Sequence, residues 1–330
     1  MSDHPVVDQL DRIIDVVLAG AAAQDSLPEM TPLAEVAGLL RHLPSQDFKR
    51  RLKVELLGSV SMSATHVRAR FRIVSPLIIH ERAPELVDFL TRTFNAREVT
   101  RDTTEEAYGF YSEVQIGDSA IMIGGGTAAR RGNLPGAFHV YVEDCDATYA
   151  RALAAGATTL AGETGKPADR PYGERSAFVE DGFGNYWYIA TRLTSGRPAE
   201  GPGEELGSVV PFLHPQGARK QIAFLRAAFG AEELAVIEHE GRVMHGAVRI
   251  GDAVLEMGEP ADRSGIPPGG FFVRVDDVEA AYARALAAGA ESVRMPDDIP
   301  YGYRSAIVRD PEGYLWWTAR VRDLRGLRRG

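Results

Sequence analysis

The chain has 330 residues, 45% hydrophobic and 25% charged, with a formal net charge of -9. That length suits two or three globular domains, that composition excludes wholesale disorder, and the acidic balance argues against a nucleic-acid partner, which needs a basic face. The single cysteine, Cys145, excludes an intrachain disulfide framework and fits a reducing, cytoplasmic setting; no apolar run approaches the ~20 residues of a membrane span.

Residues 1–60 read as helices. "VDQLDRIIDVVLAG" has apolar residues at Leu10, Ile13, Ile14 and Val17, "PLAEVAGLLRHL" has similar spacing, and "SQDFKRRLKVELLG" has Ser45 as a candidate N-cap. The start is acidic and lacks a signal-peptide core. This N-terminal helical region is expected either to dock on the rest or to act as a partner-binding or oligomerising arm.

From residue 71 onward the pattern changes. "RIVSPLIIH" reads as a strand and "APELVDFLTRTF" as a helix, with Leu86, Phe89, Leu90 and Phe94 on one face. "REVTRDTT", "GFYSEVQIG" and "SAIMIGG" read as three strands. "IMIGGGTAARRG" has no P-loop spacing and opens no helix, so it reads as a flexible loop bordering the sheet. Then "AFHVYVE" is a strand and "DATYARALAAG" a helix ended by Gly156; "TTLAGE", "RSAFVED" and "YWYIATR" are strands. Cys145 opens that second helix and reads as a structural thiol, with no His beside it to activate it.

The same text then returns. "RALAAGA" stands at 151–157 and 284–290, "IGD" at 116–118 and 250–252, and "PYG" at 171–173 and 300–302. The copies span 68–193 and 206–322, joined by the Gly- and Pro-rich linker 194–205. Each copy reads as two βαβββ units. One such unit cannot cover both faces of its sheet, so units must pair. The expected fold is α+β: two tandem modules of paired βαβββ units, four units in all, plus the N-terminal helical region. The basic end after Ala319 reads as a solvated tail.

Both modules close alike, with "DGFGNYWYIAT" and "DPEGYLWWTAR". These segments, with "VVPFLHPQGARKQIAFLRAAFGAEE" and "HGAVRIGDAVLEMGEP", resemble the vicinal oxygen chelate superfamily, in particular its glyoxalase/bleomycin-resistance-like subgroup, over residues 70–322. The resemblance implies a curved sheet whose cup holds the site. In catalytic members a divalent metal sits there on His and Glu side chains from the start of a unit's first strand and the end of its last. The matching positions here are Pro76, Pro211, Ala137, Gly270, Tyr188 and Trp317. None is a good ligand, so neither that metal site nor any other cofactor is expected.

Strand alternation assigns the faces. Phe138, Val140, Trp187, Ile189, Phe271, Val273 and Trp316 are expected to face the helices. The expected cup residues are Tyr111, Glu113, His139, Tyr141 and Tyr188 in one copy and His245, Phe272, Arg274 and Trp317 in the other. Aromatics with a few polar groups suit a small-molecule pocket, although the same residues could fill a core. His139 is either a general base or a hydrogen-bonded core residue. His80, His214 and His239 are expected at the surface, and a cryptic metal site from His139, Glu113 and His245 is conceivable. Arg175 and Arg304 are expected to pair with acids or clamp an anion. The leading expectation is a metal-independent small-molecule binder, for a drug or hydrophobic metabolite. The alternatives are a metal-dependent lyase, isomerase or dioxygenase, and a scaffold using the N-terminal helices. The expected partner is a small molecule, with neither nucleic acid nor membrane, for a monomer or homodimer.

Overall fold

The computed structural model describes residues 71–103, 109–126, 128–193, 206–262, 266–299 and 303–321. All belong to the compact unit Ala69–Gly330. The expectations for residues 1–60, the linker and the tail after residue 321 lie outside the described residues.

Four βαβββ units follow one another. The first is β1 (Val74–Ile79), α1 (Ala83–Phe94), β2 (Arg97–Asp102), β3 (Gly109–Ile116) and β4 (Ser119–Gly126). The second is β5 (Ala137–Tyr141), α2 (Cys145–Ala154), β6 (Thr158–Thr159), β7 (Ala168–Arg170), β8 (Glu174–Glu180) and β9 (Tyr186–Arg192). The third is β10 (Val209–Leu213), α3 (Ala218–Phe229), β11 (Glu232–His239), β12 (Arg242–Ile250) and β13 (Ala253–Met257). The fourth is β14 (Gly270–Arg274), α4 (Val278–Ala287), β15 (Glu291–Ile299), β16 (Tyr303–Arg309) and β17 (Leu315–Val321).

The repeated text makes repeated caps. Asp144 and Asp277 each accept a hydrogen bond from the backbone N–H three residues on, starting α2 and α4. Gly156 and Gly289 follow those helices at φ of 99° and 100°. Two stretches differ from expectation. "TTLAGE" is extended only at Thr158–Thr159, because the first copy carries extra residues before "PYG" that form a short 3-10 turn, Gly162–Gly165. The glycines of "IMIGGG" lie inside β4, not in a flexible loop. A Cβ on Gly125 would stand 2.7 Å from the Ala83 Cβ, so glycine lets the strand pass the start of α1.

The sheets pair units across the copies. One runs β15-β16-β17-β14-β1-β4-β3-β2, joining unit four to unit one. The other runs β11-β12-β13-β10-β5-β9-β8-β6, joining unit three to unit two, with β7 on β8. The junctions are antiparallel, with Val74 opposite Val273 and Val209 opposite Val140. The apolar cores follow the copies instead. One gathers α1, α2 and their strands around Trp187; the other gathers α3, α4 and their strands around Trp316. Each copy shares its core within itself and its sheets with the other copy.

Two motifs earn their repetition here. The "IGD" turns grip the other copy: Asp118 accepts the Ser208 N–H at 2.7 Å, and Asp252 accepts the Ile73 N–H at 2.6 Å. Gly117 sits at φ 56°, where a Cβ would collide with Ser208. In the closing segments, buried Asp181 accepts from the Phe183 and Asn185 backbone, the Asn185 amide and the Trp187 indole at 2.8 Å. Asp310 accepts from the Glu312 and Tyr314 backbone, Gln221 and the Trp316 indole at 2.9 Å. Burial raises both carboxyl pKa values and these donors oppose it. The aspartate and the tryptophan six residues later are thus one buried structural unit, made twice.

Candidate ligand-binding cups

The alternation holds at the faces. Phe138, Val140, Trp187, Ile189, Phe271, Val273 and Trp316 are buried in the helix-side cores. His139, Tyr141, Tyr188, Phe272 and Trp317 lie between them on the opposite, cup face and are partly exposed. Cross-copy pairing regroups the expected site residues, and the grouping by copy is corrected. His139, Tyr141, Tyr188 and His245 share the cup of units two and three. Tyr111, Glu113, Phe272, Arg274 and Trp317 share the cup of units one and four. His139 and His245 therefore stand in a different cup from Glu113, and the cryptic trio is not assembled.

The first cup is charged. The His139 Nδ1 lies 2.9 Å from Glu256 Oε2, and its Nε2 lies 3.5 Å from Glu174 Oε2. These side chains are 13%, 4% and 10% exposed. Tyr141 donates to Glu174 Oε1 at 3.2 Å, and its ring stacks on His139 with centroids 4.4 Å apart. His245 Nε2 lies 3.4 Å from the other Glu256 oxygen. Burial disfavours charge on His139, but Glu256 and Glu174 outweigh it and push its pKa up to about 9. Burial likewise opposes the Glu256 charge, and His139 with His245 outweighs it, holding the carboxyl down at about 2. His139 is therefore an imidazolium at neutral pH, clasped on both ring nitrogens.

Beside this cluster stands an aromatic wall. The Tyr188 hydroxyl is 2.7 Å from His214 Nε2, and its ring packs edge-on against Phe212 and Phe178 with centroids 5.1 and 5.4 Å away. Burial raises the Tyr188 pKa, so the phenol is neutral. The guanidiniums of Arg170 and Arg192 lie over Phe178 and Tyr141.

Several of these residues escape the sequence reading. Glu256 sits mid-strand in "AVLEM", where Leu255 and Met257 face the core; a lone charge on the other parity was the available signal. Glu174 reads as part of a loop in "PYGERS", yet it opens β8 on the cup face. His214 and His80 are expected at the surface and are 7% and 6% exposed, because both end first strands beneath aromatic neighbours. His239 is exposed. The ligand positions also shift. Pro76 and Pro211 are opposite Phe271 and Phe138 in register and so face the helices. The first and last strands of units two and three instead bring His139, Tyr188, Phe212 and Glu256 side by side in the cup.

The second cup is mostly apolar. Phe272 adjoins Trp317 in register and packs edge-on against Tyr303, with centroids 6.3 Å apart. Leu77 is opposite Met122. Tyr111 donates to Glu113 at 2.9 Å, and Arg274 is exposed. Elsewhere, Cys145 is buried, points its thiol at the Ile189 carbonyl at 3.4 Å, and is pushed up to about 12 by burial. Arg175 and Arg304 pair with acids, Asp146 with Asp169 and Glu279 with Asp298. Among the described residues no helix is long and apolar enough to cross a membrane.

A family model described as Glyoxalase/Bleomycin resistance protein/Dioxygenase superfamily matches residues 216–318. Glyoxalase I from Zea mays shares the fold, at a TM-score of 0.57 and 14% identity over 74% of this chain and 92% of that one. Uncharacterized proteins of Mycobacterium bovis and Mycobacterium tuberculosis are 29% identical over 126 residues, 35% of this chain and 80% and 72% of theirs. Residues 216–318, in the second copy, thus match that superfamily directly, and the four-unit architecture of the described residues is similar to that of glyoxalase I.

Proposed function

We propose that the chain binds a small molecule, a drug or hydrophobic metabolite, in the charged cup of units two and three without a divalent metal. The observation that carries this reading is the direction of the donors. Glu256 and Glu174 bond to opposite nitrogens of one imidazole, so they flank the ring rather than meet at a common point. Tyr188 and Phe212, at the adjoining first- and last-strand positions, supply an aromatic wall and no strong ligand. Among the described residues no three His, Cys, Asp or Glu side chains form a metal-holding group. The residues present thus do not fit the metal that the superfamily's catalytic members use.

The same geometry speaks against base catalysis by His139. Its proton is held until about pH 9, and both its nitrogens are engaged. What remains is a wall of flat rings beside a satisfied polar cluster, which suits recognition of a ligand that is partly aromatic and partly polar. The test has two arms. Elemental analysis of protein purified without chelators should find no stoichiometric metal. A panel of aromatic and glycopeptide compounds, screened by thermal shift and tyrosine fluorescence, should contain a stabilising ligand; at about 100 times its Kd it adds about 2.7 kcal/mol. One metal per chain, lost on His139→Gln or Glu256→Gln, would overturn the metal-free reading, and a silent panel would overturn the binding reading.

A further inference from the structure

Among the described residues four arginines stack on aromatic rings. Three are also held by polar partners: Arg82 by Glu85, Arg101 by Glu98, and Arg170 by Ser176 and the Thr164 carbonyl. The fourth is Arg192, the last residue of β9. Its guanidinium lies 4.4 Å from the centroid of Tyr141, and it has no hydrogen bond or ion pair with any described residue. It is exposed, and it pairs across the sheet with Glu174, which places it on the cup face beside the buried cluster. Stacking fixes the plane of a guanidinium and leaves its N–H edge free, the arrangement that receives a planar carboxylate through two parallel hydrogen bonds.

The surrounding charges permit an anion there. Glu174 and Glu256 already face His139, while Arg170 and Arg192 add two guanidiniums over the neighbouring Phe178 and Tyr141 rings. Other charges on this face are spent or distant: Arg249 pairs with Glu232, and Glu180 stands at the far end of β8 from Glu174. In the second cup the residue equivalent to Arg192, opposite Tyr303, is Val321, so the feature belongs to one cup only.

We propose that Arg192 is the specificity residue of the charged cup, and that the ligand is an aromatic or hydrophobic compound bearing a carboxylate. The inference rests on the charged cup being the binding site. It is tested by calorimetric titration of the full chain with three matched pairs: benzoate and benzamide, phenylacetate and phenylacetamide, indole-3-acetate and indole-3-acetamide. Each acid that binds should do so about tenfold more tightly than its amide, as a charge-assisted hydrogen bond permits. Arg192→Gln should erase that difference while leaving amide affinity within about twofold. Arg192→Lys, which keeps the charge without the planar fork, should retain only part of it. Because Arg192 is exposed, these variants leave the core untouched. Equal binding of acid and amide, or a preference that survives Arg192→Gln, overturns the assignment and leaves the binding cup standing. If neither acids nor amides bind, the binding reading fails for these ligand classes and the assignment falls with it.

Discussion

The two cups are built on one backbone plan and present opposite surfaces. In the charged cup His139 lies beside Tyr188, and Phe212 is opposite Glu256; in the other Phe272 lies beside Trp317, and Leu77 is opposite Met122. Glu174 has Tyr303 as its counterpart, each opening its strand directly after "PYG" in the sequence. An imidazolium between two carboxylates is thus replaced, position for position, by phenylalanine, tyrosine and methionine. The cores show the reverse. Trp187 packs on Phe94 and Phe138 at 5.0 Å each, and Trp316 packs on Phe229 and Phe271 at 5.1 and 4.8 Å. What the copies share holds the fold; where they differ, one sheet face carries a charged cluster and the other is mostly apolar.

If that division is right, the cores should respond alike. Trp187→Ala and Trp316→Ala should each lose about 3–5 kcal/mol in denaturant unfolding, since each empties a fully buried site and removes one donor from a buried aspartate. The cups should respond unlike. His139→Phe removes the imidazolium that buried Glu174 and Glu256 share and should cost about 3 kcal/mol or more. The triple change His139→Phe, Glu174→Tyr, Glu256→Met, which writes the second cup's residues into the first, should recover most of that loss. A triple variant as unstable as the single one would break the position-for-position comparison.

Stability should also depend on pH through the charged cup. The unfolded His139 titrates near 6.5 and the folded one at about 9. Its contribution is complete below pH 6.5, declines as pH rises, and is gone above about 9. Glu256 works the other way: its contribution is present above about 4.5 and lost as pH falls towards 2. Unfolding curves at pH 6 and 9.5 should differ in the wild type, and the difference should shrink in the triple variant. The smallest effect is expected in the second cup. Phe272→Ala removes a partly exposed ring and should cost about 1 kcal/mol without changing ligand affinity in the first cup.

Much of this was legible in the chain because local rules sufficed. The recurring "RALAAGA" and "PYG" place the helices and closing strands, and period-two alternation puts Trp187 inward and Tyr188 outward. The pairing of units was not legible, because β1 and β5 both offer an open edge and nothing local says which unit completes each sheet. That choice is made at long range, by the grip of Asp118 on Ser208 and of Asp252 on Ile73. The same gap hid the charged cup. His139 and Glu256 are 117 residues apart and meet only because β5 and β10 are neighbours, with β13 beside β10.

The central claim, that His139 is an ion-paired imidazolium in a metal-free cup, is tested most directly by nitrogen-15 NMR of the histidine rings from pH 5 to 10. The protein should be purified without chelators. Both His139 nitrogens should carry protons up to about pH 9, with the Glu256→Gln variant titrating lower. A His139 ring that is neutral at pH 7, with one nitrogen shifted by a bound metal, would contradict the account.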